Sequence, residues 1–86
     1  MRFRLTVFMA FEKKFSSEAQ VETFVIARME KSKVPTEGLV IKCESLKGTY
    51  PSVEITANSM EAMSRFTSFC IPYTGIPIHR DWIKTV

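Results

Sequence analysis

The alternation of side chains between Met1 and Glu12 constrains the fold most strongly. One side of this segment is entirely apolar: Phe3, Leu5, Val7, Met9 and Phe11. The other side begins with polar residues: Arg2, Arg4 and Thr6. Successive side chains of a strand point to opposite faces, so the segment predicts a long strand with one buried and one mixed face. Phe8 and Ala10 interrupt the polar side, and they matter for function below.

A first helix is predicted to follow this strand. Ser17 can cap its start, and Gln20 stands three residues later, as in a capping box. Its buried stripe has helical spacing and consists of Val21, Phe24, Val25 and Met29. Since Pro35 pushes the preceding residue out of the helical region, the helix should end near Ser32.

Two strands and a second helix are predicted next. Strands over residues 39–46 and 52–57 should form a hairpin around the Gly48 and Pro51 turn. Asn58 is the expected N-cap of the second helix, with Glu61 at the third position, and Pro72 should end that helix. Its predicted buried stripe is Met60, Met63, Phe66, Thr67 and Cys70.

The tail, residues 73–86, is expected to be an edge strand or an extended segment, because Pro77 cannot donate to a ladder. The resulting order, β-α-β-β-α with an optional last β, predicts one α+β domain over residues 1–86. Two helices should cover one face of an antiparallel sheet in the ferredoxin-like arrangement. The alternative is a three-stranded sheet with the tail wrapped across it.

Composition excludes several classes of protein. The hydrophobic fraction of 45% and the charged fraction of 24% are typical of a globular domain. The apolar run near the start passes directly into Glu12 and Lys13 with no small-residue cleavage site, so we expect no signal peptide. No stretch approaches the ~20 apolar residues of a membrane span. The expectation is a soluble, cytoplasmic protein without membrane contact.

The chain carries little recognisable catalytic or metal chemistry. Cys43 and Cys70 are expected to be free, buried thiols, with a disulfide between them as the alternative. Together with His79 they fall short of the four ligands of a structural zinc site, so no metal or cofactor is expected. His79 and Asp81 would share one side of a strand, but no nucleophile accompanies them. We therefore expect a non-enzymatic protein.

Nucleic-acid binding is the alternative function. The net charge of +3 is mild, and the predicted topology also hosts the RNA-recognition motif, in which aromatic side chains on the open sheet face stack on bases. Here the third strand would present Ser52, Glu54 and Thr56 instead. Phosphate contacts would depend on dispersed basic residues: Arg2, Arg4, Lys13, Lys14 and Lys42.

Protein binding is the favoured function. Alternation places an apolar group on the sheet face that the helices do not cover: Phe8, Ala10, Val40 and Leu46. The competing interpretation is that Ile76, Ile78 or Trp82 of the tail covers this group and makes it ordinary core. The residues expected to contact a partner are Arg4, Phe8, Tyr73, Arg80 and Trp82.

The expected mechanism is steric occupation of a macromolecular target. Small inhibitors, antitoxins and antidefence proteins encoded by phages are similar in size and character, although no motif links this chain to them. Self-association through the open face or a strand edge is a further form of the same hypothesis.

Overall fold

The computed structural model describes all 86 residues. Strand β1 (Phe3–Phe8) is followed by helix α1 (Glu18–Lys31). Strands β2 (Leu39–Ser45) and β3 (Ser52–Ala57) form a hairpin, and helix α2 (Met60–Thr74) follows. The chain ends with a 3-10 turn (Arg80–Trp82) and the short strand β4 (Lys84–Thr85).

The four strands form one antiparallel sheet in the order β2-β3-β1-β4. In each βαβ half, the helix connects two strands that are separated by a third. This is the ferredoxin-like, two-layer α+β arrangement that the sequence predicted. The central position of β1 agrees with its fully apolar side, because an interior strand contributes most to the core.

The core lies between the sheet and the two helices. Leu5 and Val7 of β1 and Val53 and Ile55 of β3 are buried on the sheet face that the helix layer covers. The helices contribute the rest of their buried stripes: Val21, Val25 and Met29 from α1, and Ala62, Met63, Phe66, Phe69 and Cys70 from α2. The side chains of the strands that face away from the helices form the open face.

Helix α1 matches its predicted limits. The Ser17 side chain accepts a hydrogen bond from the Gln20 N–H (3.3 Å), and the Gln20 carboxamide accepts from the Ser16 N–H (2.9 Å). These contacts satisfy donors that have no partner inside the helix. The capping box is therefore present, with the return bond made one residue before the cap.

Helix α2 corrects two expectations. Its N-cap is Ser59, whose hydroxyl accepts from the Ala62 N–H (3.1 Å), because the Asn58 N–H still belongs to the sheet and donates to the Gly38 carbonyl. Pro72 lies inside the helix. So close to the helix end a proline removes only one ladder bond, and the left-handed Gly75 closes the helix by donating to the Ile71 carbonyl.

The buried stripe of α2 also differs from its prediction. Ala62 and Phe69 are buried, while Met60 and Thr67 are only partly covered. Met60 is the first residue of the helix and is not part of the core.

A β-bulge in β2 reverses the predicted orientation of Leu46. Cys43 pairs with Val53 and Ser45 pairs with Ser52, so Glu44 is the extra residue. Beyond a bulge the alternation of faces shifts by one residue. Leu46 therefore turns to the helix side and packs on the core, instead of joining the open face.

The C-terminal segment pairs with the sheet over only two residues. Arg4 lies opposite Lys84 and Phe3 opposite Thr85. The preceding chain, from Gly75 to Trp82, runs outside the ladder. A four-stranded sheet is thus present, not the alternative with three strands. No helix has the length and apolar character needed to cross a membrane.

Candidate protein-docking cleft

The strand register orders the open face into rows of neighbouring side chains. One row runs Lys84, Arg4, Thr56 and Val40 across all four strands. The next row contains Thr6, Glu54 and Lys42, and the third contains Phe8, Ser52 and Ser45. Charged and polar groups occupy the middle of the face, and Phe8 lies at one corner.

The charges on this face are mixed in sign. Arg4 forms an ion pair with Glu54 (3.8 Å), and Lys42 stands opposite the same carboxylate in the register. The Thr6 hydroxyl donates to Glu44 (3.3 Å). Exposed pairs of this kind contribute about 0–1 kcal/mol each, but they offset the positive charge of the face.

Phe8 borders a cleft between β1 and the C-terminal segment. The cleft has a volume of about 270 Å³ and is lined by Thr6, Val7, Phe8, Thr74, Ile76, Ile78 and Trp82. Phe8 is 66% exposed, Ile76 52% and Trp82 42%. Three large apolar side chains therefore remain accessible around one depression.

Local hydrogen bonds fix the far wall of the cleft. The Thr74 hydroxyl donates to the Ile76 carbonyl (2.8 Å) directly after α2, across the left-handed Gly75. The Trp82 N–H donates to the His79 carbonyl (3.0 Å) and closes the 3-10 turn. The His79 and Trp82 rings lie 5.6 Å apart, which fixes the indole beside the cleft.

The predicted apolar group on the open face is divided in the structure. Val40 is as exposed as Phe8, but it lies two strands and two rows away, beyond charged residues. Ala10 is exposed outside the strand, and Leu46 packs on the core. The C-terminal segment borders Phe8 without covering it, so the competing interpretation also describes only part of the arrangement.

The five predicted partner-contact residues do not converge on one surface. Phe8 and Trp82 line the cleft together, and Arg4 lies farther along the same strand. Arg80 is exposed in the 3-10 turn. Tyr73 belongs elsewhere, because its ring packs 5.1 Å from Phe11 and 5.4 Å from Phe69 on the helix side.

The dispersed basic residues also occupy separate surfaces. Arg4 and Lys42 lie on the open face, whereas the Lys13 ammonium lies 5.2 Å from the Phe24 ring centroid on α1. Arg28 stacks on that ring from 4.8 Å, a contact that was not predicted from the sequence. Its signal was present, since Arg28 follows Phe24 at i+4 on the same helix face.

His79 and Asp81 do not form the pair that a strand would have given. His79 caps the 3-10 turn and Asp81 lies inside it, so their side chains do not alternate as in a strand. No group of three or more His, Cys, Asp or Glu side chains is arranged to hold a metal ion. Cys43 and Cys70 are free and buried.

The comparisons with known proteins give no relative. No protein-family model, curated protein or solved structure matches this chain.

Proposed function

We propose that this chain is a non-enzymatic protein-binding module whose target docks on the cleft beside Phe8. Binding would act sterically, by occupying a surface that the target needs for another contact. The observation that carries the proposal is the grouping of Phe8, Ile76 and Trp82, each substantially exposed, around one cleft.

The energetics of such a group favour a protein partner. Burial of a large apolar side chain contributes about 1.5–3 kcal/mol, and a few aromatic residues commonly dominate the free energy of binding at an interface. Here Phe8 and Trp82 supply the aromatic anchors. The fold does not need apolar side chains at these exposed positions, because polar side chains there would keep the protein soluble.

The character of the cleft supports binding over catalysis. Its side chains are apolar apart from two threonines, and no titratable group lines it. Its volume of about 270 Å³ lies just below the ~300–1,000 Å³ of small-molecule sites. It can accept one or two side chains of a partner.

Nucleic acid is the competing partner, and the arrangement of charge supports it less. The open face pairs Arg4 with Glu54 and also carries Glu44, while Lys13 lies on the helix side. A phosphate backbone is bound best by a continuous stripe of positive charge.

The test begins with a photo-crosslinking residue at Ile76 in the full chain, introduced in native host cells. The crosslinked protein is then purified, and its affinity is measured by calorimetry. Phe8→Ala and Trp82→Ala should each weaken binding at least tenfold. Val40→Ala is the matched control, since Val40 has the same exposed fraction as Phe8, and it should change affinity less than twofold.

Two results would overturn the proposal. One is a partner whose affinity is unchanged by both cleft variants. The other is a crosslinked nucleic acid whose binding falls steeply with added salt, because that slope reports phosphate neutralisation.

A further inference from the structure

The side of β1 that faces β4 forms backbone hydrogen bonds over only part of its length. The backbone groups of alternate residues in a strand point to opposite neighbours. The Met9 N–H donates to the Pro51 carbonyl on the β3 side, whereas the Val86 N–H donates to the Arg2 carbonyl on the β4 side. Odd-numbered residues therefore bond to β3, and even-numbered residues face β4.

Four backbone groups remain without a partner on this edge. Arg2 and Arg4 are paired with the last residues of the chain, and the Ala10 N–H donates to the Tyr73 carbonyl (2.8 Å). Between them, the N–H and C=O groups of Thr6 and Phe8 point to the same side and bond to no other group of the protein.

These unpaired groups border the cleft. The chain reaches β1 at Lys84 only after the detour through Ile76, Ile78 and the 3-10 turn, and those residues form the far wall. The cleft thus lies at the position beside Thr6 and Phe8 that a longer β4 would fill. An exposed strand edge of this kind is a template for another extended segment.

We propose that the cleft binds an extended peptide segment of the partner, which pairs with Thr6 and Phe8 as an added strand. Such pairing joins main-chain hydrogen bonds to pockets that take alternate side chains. Here the apolar walls would receive alternate apolar residues. This inference rests on the proposed function and specifies the form of the partner.

The charges around the cleft indicate an acidic segment. Arg80 and Lys84 are exposed and form no ion pair with a carboxylate, whereas Arg4, opposite Lys84, is already paired with Glu54. Asp81 is the one acidic side chain of the 3-10 turn and β4. A segment with carboxylates beside its apolar residues complements this surface.

A single strand fits this edge better than a second copy of the protein does. In an edge-to-edge dimer, each copy would bring its own segment from Gly75 to Trp82 against the same cleft in the other copy. The same segment of the first copy already forms one wall of the cleft, so the second copy's segment would have to fit into the remaining space. An isolated extended peptide brings no such segment.

The test uses the full chain and a displayed library of random 12-residue peptides. Selected peptides should alternate apolar residues and carry net negative charge. Phe8→Ala should weaken them at least tenfold, as should a chain with an N-methyl group on the Phe8 amide. That chain can be assembled by ligation at Cys43, and the methyl group removes an N–H that the fold leaves unpaired.

Thr6→Pro gives a second, genetically encoded variant. Proline is tolerated where a strand N–H faces outward, so folding should persist while peptide binding falls at least tenfold. Val40→Ala, on the open face outside the cleft, is its control and should bind within twofold of the parent. Circular dichroism checks the fold of each variant, and binding should protect the Thr6 and Phe8 amides from hydrogen exchange.

The outcomes separate this inference from the proposed function. Peptides that need the Phe8 ring but tolerate both backbone changes would overturn strand addition and leave the docking cleft in place. Failure to select peptides, or selection of basic ones, would overturn the inference while the crosslinking test of the folded partner stands. A dimer in sedimentation that the N-methyl group dissociates would assign the edge to a second copy and also overturn it.

Discussion

The two cysteines differ from reactive thiols because each is buried and donates to a backbone carbonyl. The Cys70 thiol is fully buried and donates to the Thr67 carbonyl (3.4 Å), and burial raises its pKa to about 11. Burial also raises the pKa of Cys43, helped by the carboxylates of Glu18, Glu22 and Glu44. A thiolate is the reactive form, so both groups are chemically protected in the native state.

Stability should therefore fall as the solution becomes alkaline. In the unfolded chain the Cys70 thiol ionises near its ordinary pKa of 9, but in the native protein it stays protonated up to about 11. Between these values the native state binds more protons, so its stability decreases as pH rises. The urea midpoint of the protein should decrease between pH 9 and pH 11 more steeply than that of Cys70→Ala.

The parent protein and Cys70→Ala are compared at each pH, and only the difference between their urea midpoints is interpreted. All other ionisable side chains are common to both proteins, so their contributions cancel in the comparison. Parallel curves for the parent and Cys70→Ala would show that the thiol does not contribute to the alkaline loss.

At single residues, the sequence predicts burial well where the local backbone is regular. The orientation of Phe8 followed from simple alternation in β1, and the structure leaves its ring on the open face. The predicted orientation of Leu46 was wrong because one extra residue in β2 reversed the alternation of faces, and nothing in the sequence marks that bulge. The cap moved from Asn58 to Ser59 because a ladder bond held the Asn58 amide, a tertiary contact invisible in the sequence.

Helix α1 also protects the outer edge of the sheet. Cys43 lies in β2, and its N–H points away from β3, where a strand edge would otherwise present a free donor. The Glu22 carboxylate of α1 accepts this N–H at 2.8 Å. One side chain thus joins the helix layer to the edge of β2 and satisfies a partly buried donor.

Replacing the Glu22 carboxylate should lower the free energy of unfolding, because the Cys43 N–H then loses its acceptor. A hydrogen bond to a charged group contributes about 1.5–3 kcal/mol, so Glu22→Ala should lower the free energy of unfolding by about that amount. Glu22→Gln keeps an acceptor and should lose less than half as much. Urea denaturation measures both, and equal losses in the two variants would mean that the negative charge of Glu22, not the presence of an acceptor, is responsible.

Element type and order were predictable, whereas the path of the last segment was not. The prediction of an edge strand or extended tail over residues 73–86 is confirmed only at the sheet edge, where Lys84 and Thr85 pair with β1. Tyr73 and Thr74 belong to α2 instead, and the 3-10 turn depends on contacts such as that of Trp82 with His79. A two-residue strand carries no periodic signal. The cleft exists because of this detour, so the sequence could indicate Phe8 and Trp82 separately but not their shared site.

Across the whole molecule, the aromatic residues divide into a group that stabilises the fold and a group that faces solvent. Phe11 lies 5.8 Å from Phe15, 4.9 Å from Phe24 and 5.1 Å from Tyr73, measured between ring centroids. These contacts join the segment after β1 to both helices. Phe8 lies three residues earlier and makes none of them.

This division predicts opposite effects for two identical substitutions. Phe11→Ala should lower the free energy of unfolding by about 2–3 kcal/mol, somewhat less than the ~3–5 kcal/mol of a fully buried phenylalanine, because Phe11 is half-buried. Phe8→Ala should change it by less than about 0.5 kcal/mol, as for an ordinary surface position. Urea denaturation of both variants, followed by partner titration at a temperature where each is folded, measures the two effects separately. Phe8→Ala should lose binding and keep stability, while Phe11→Ala should lose stability and keep binding. A large stability loss in Phe8→Ala would mean that its ring supports the C-terminal segment, and its exposure would then need no partner to explain it.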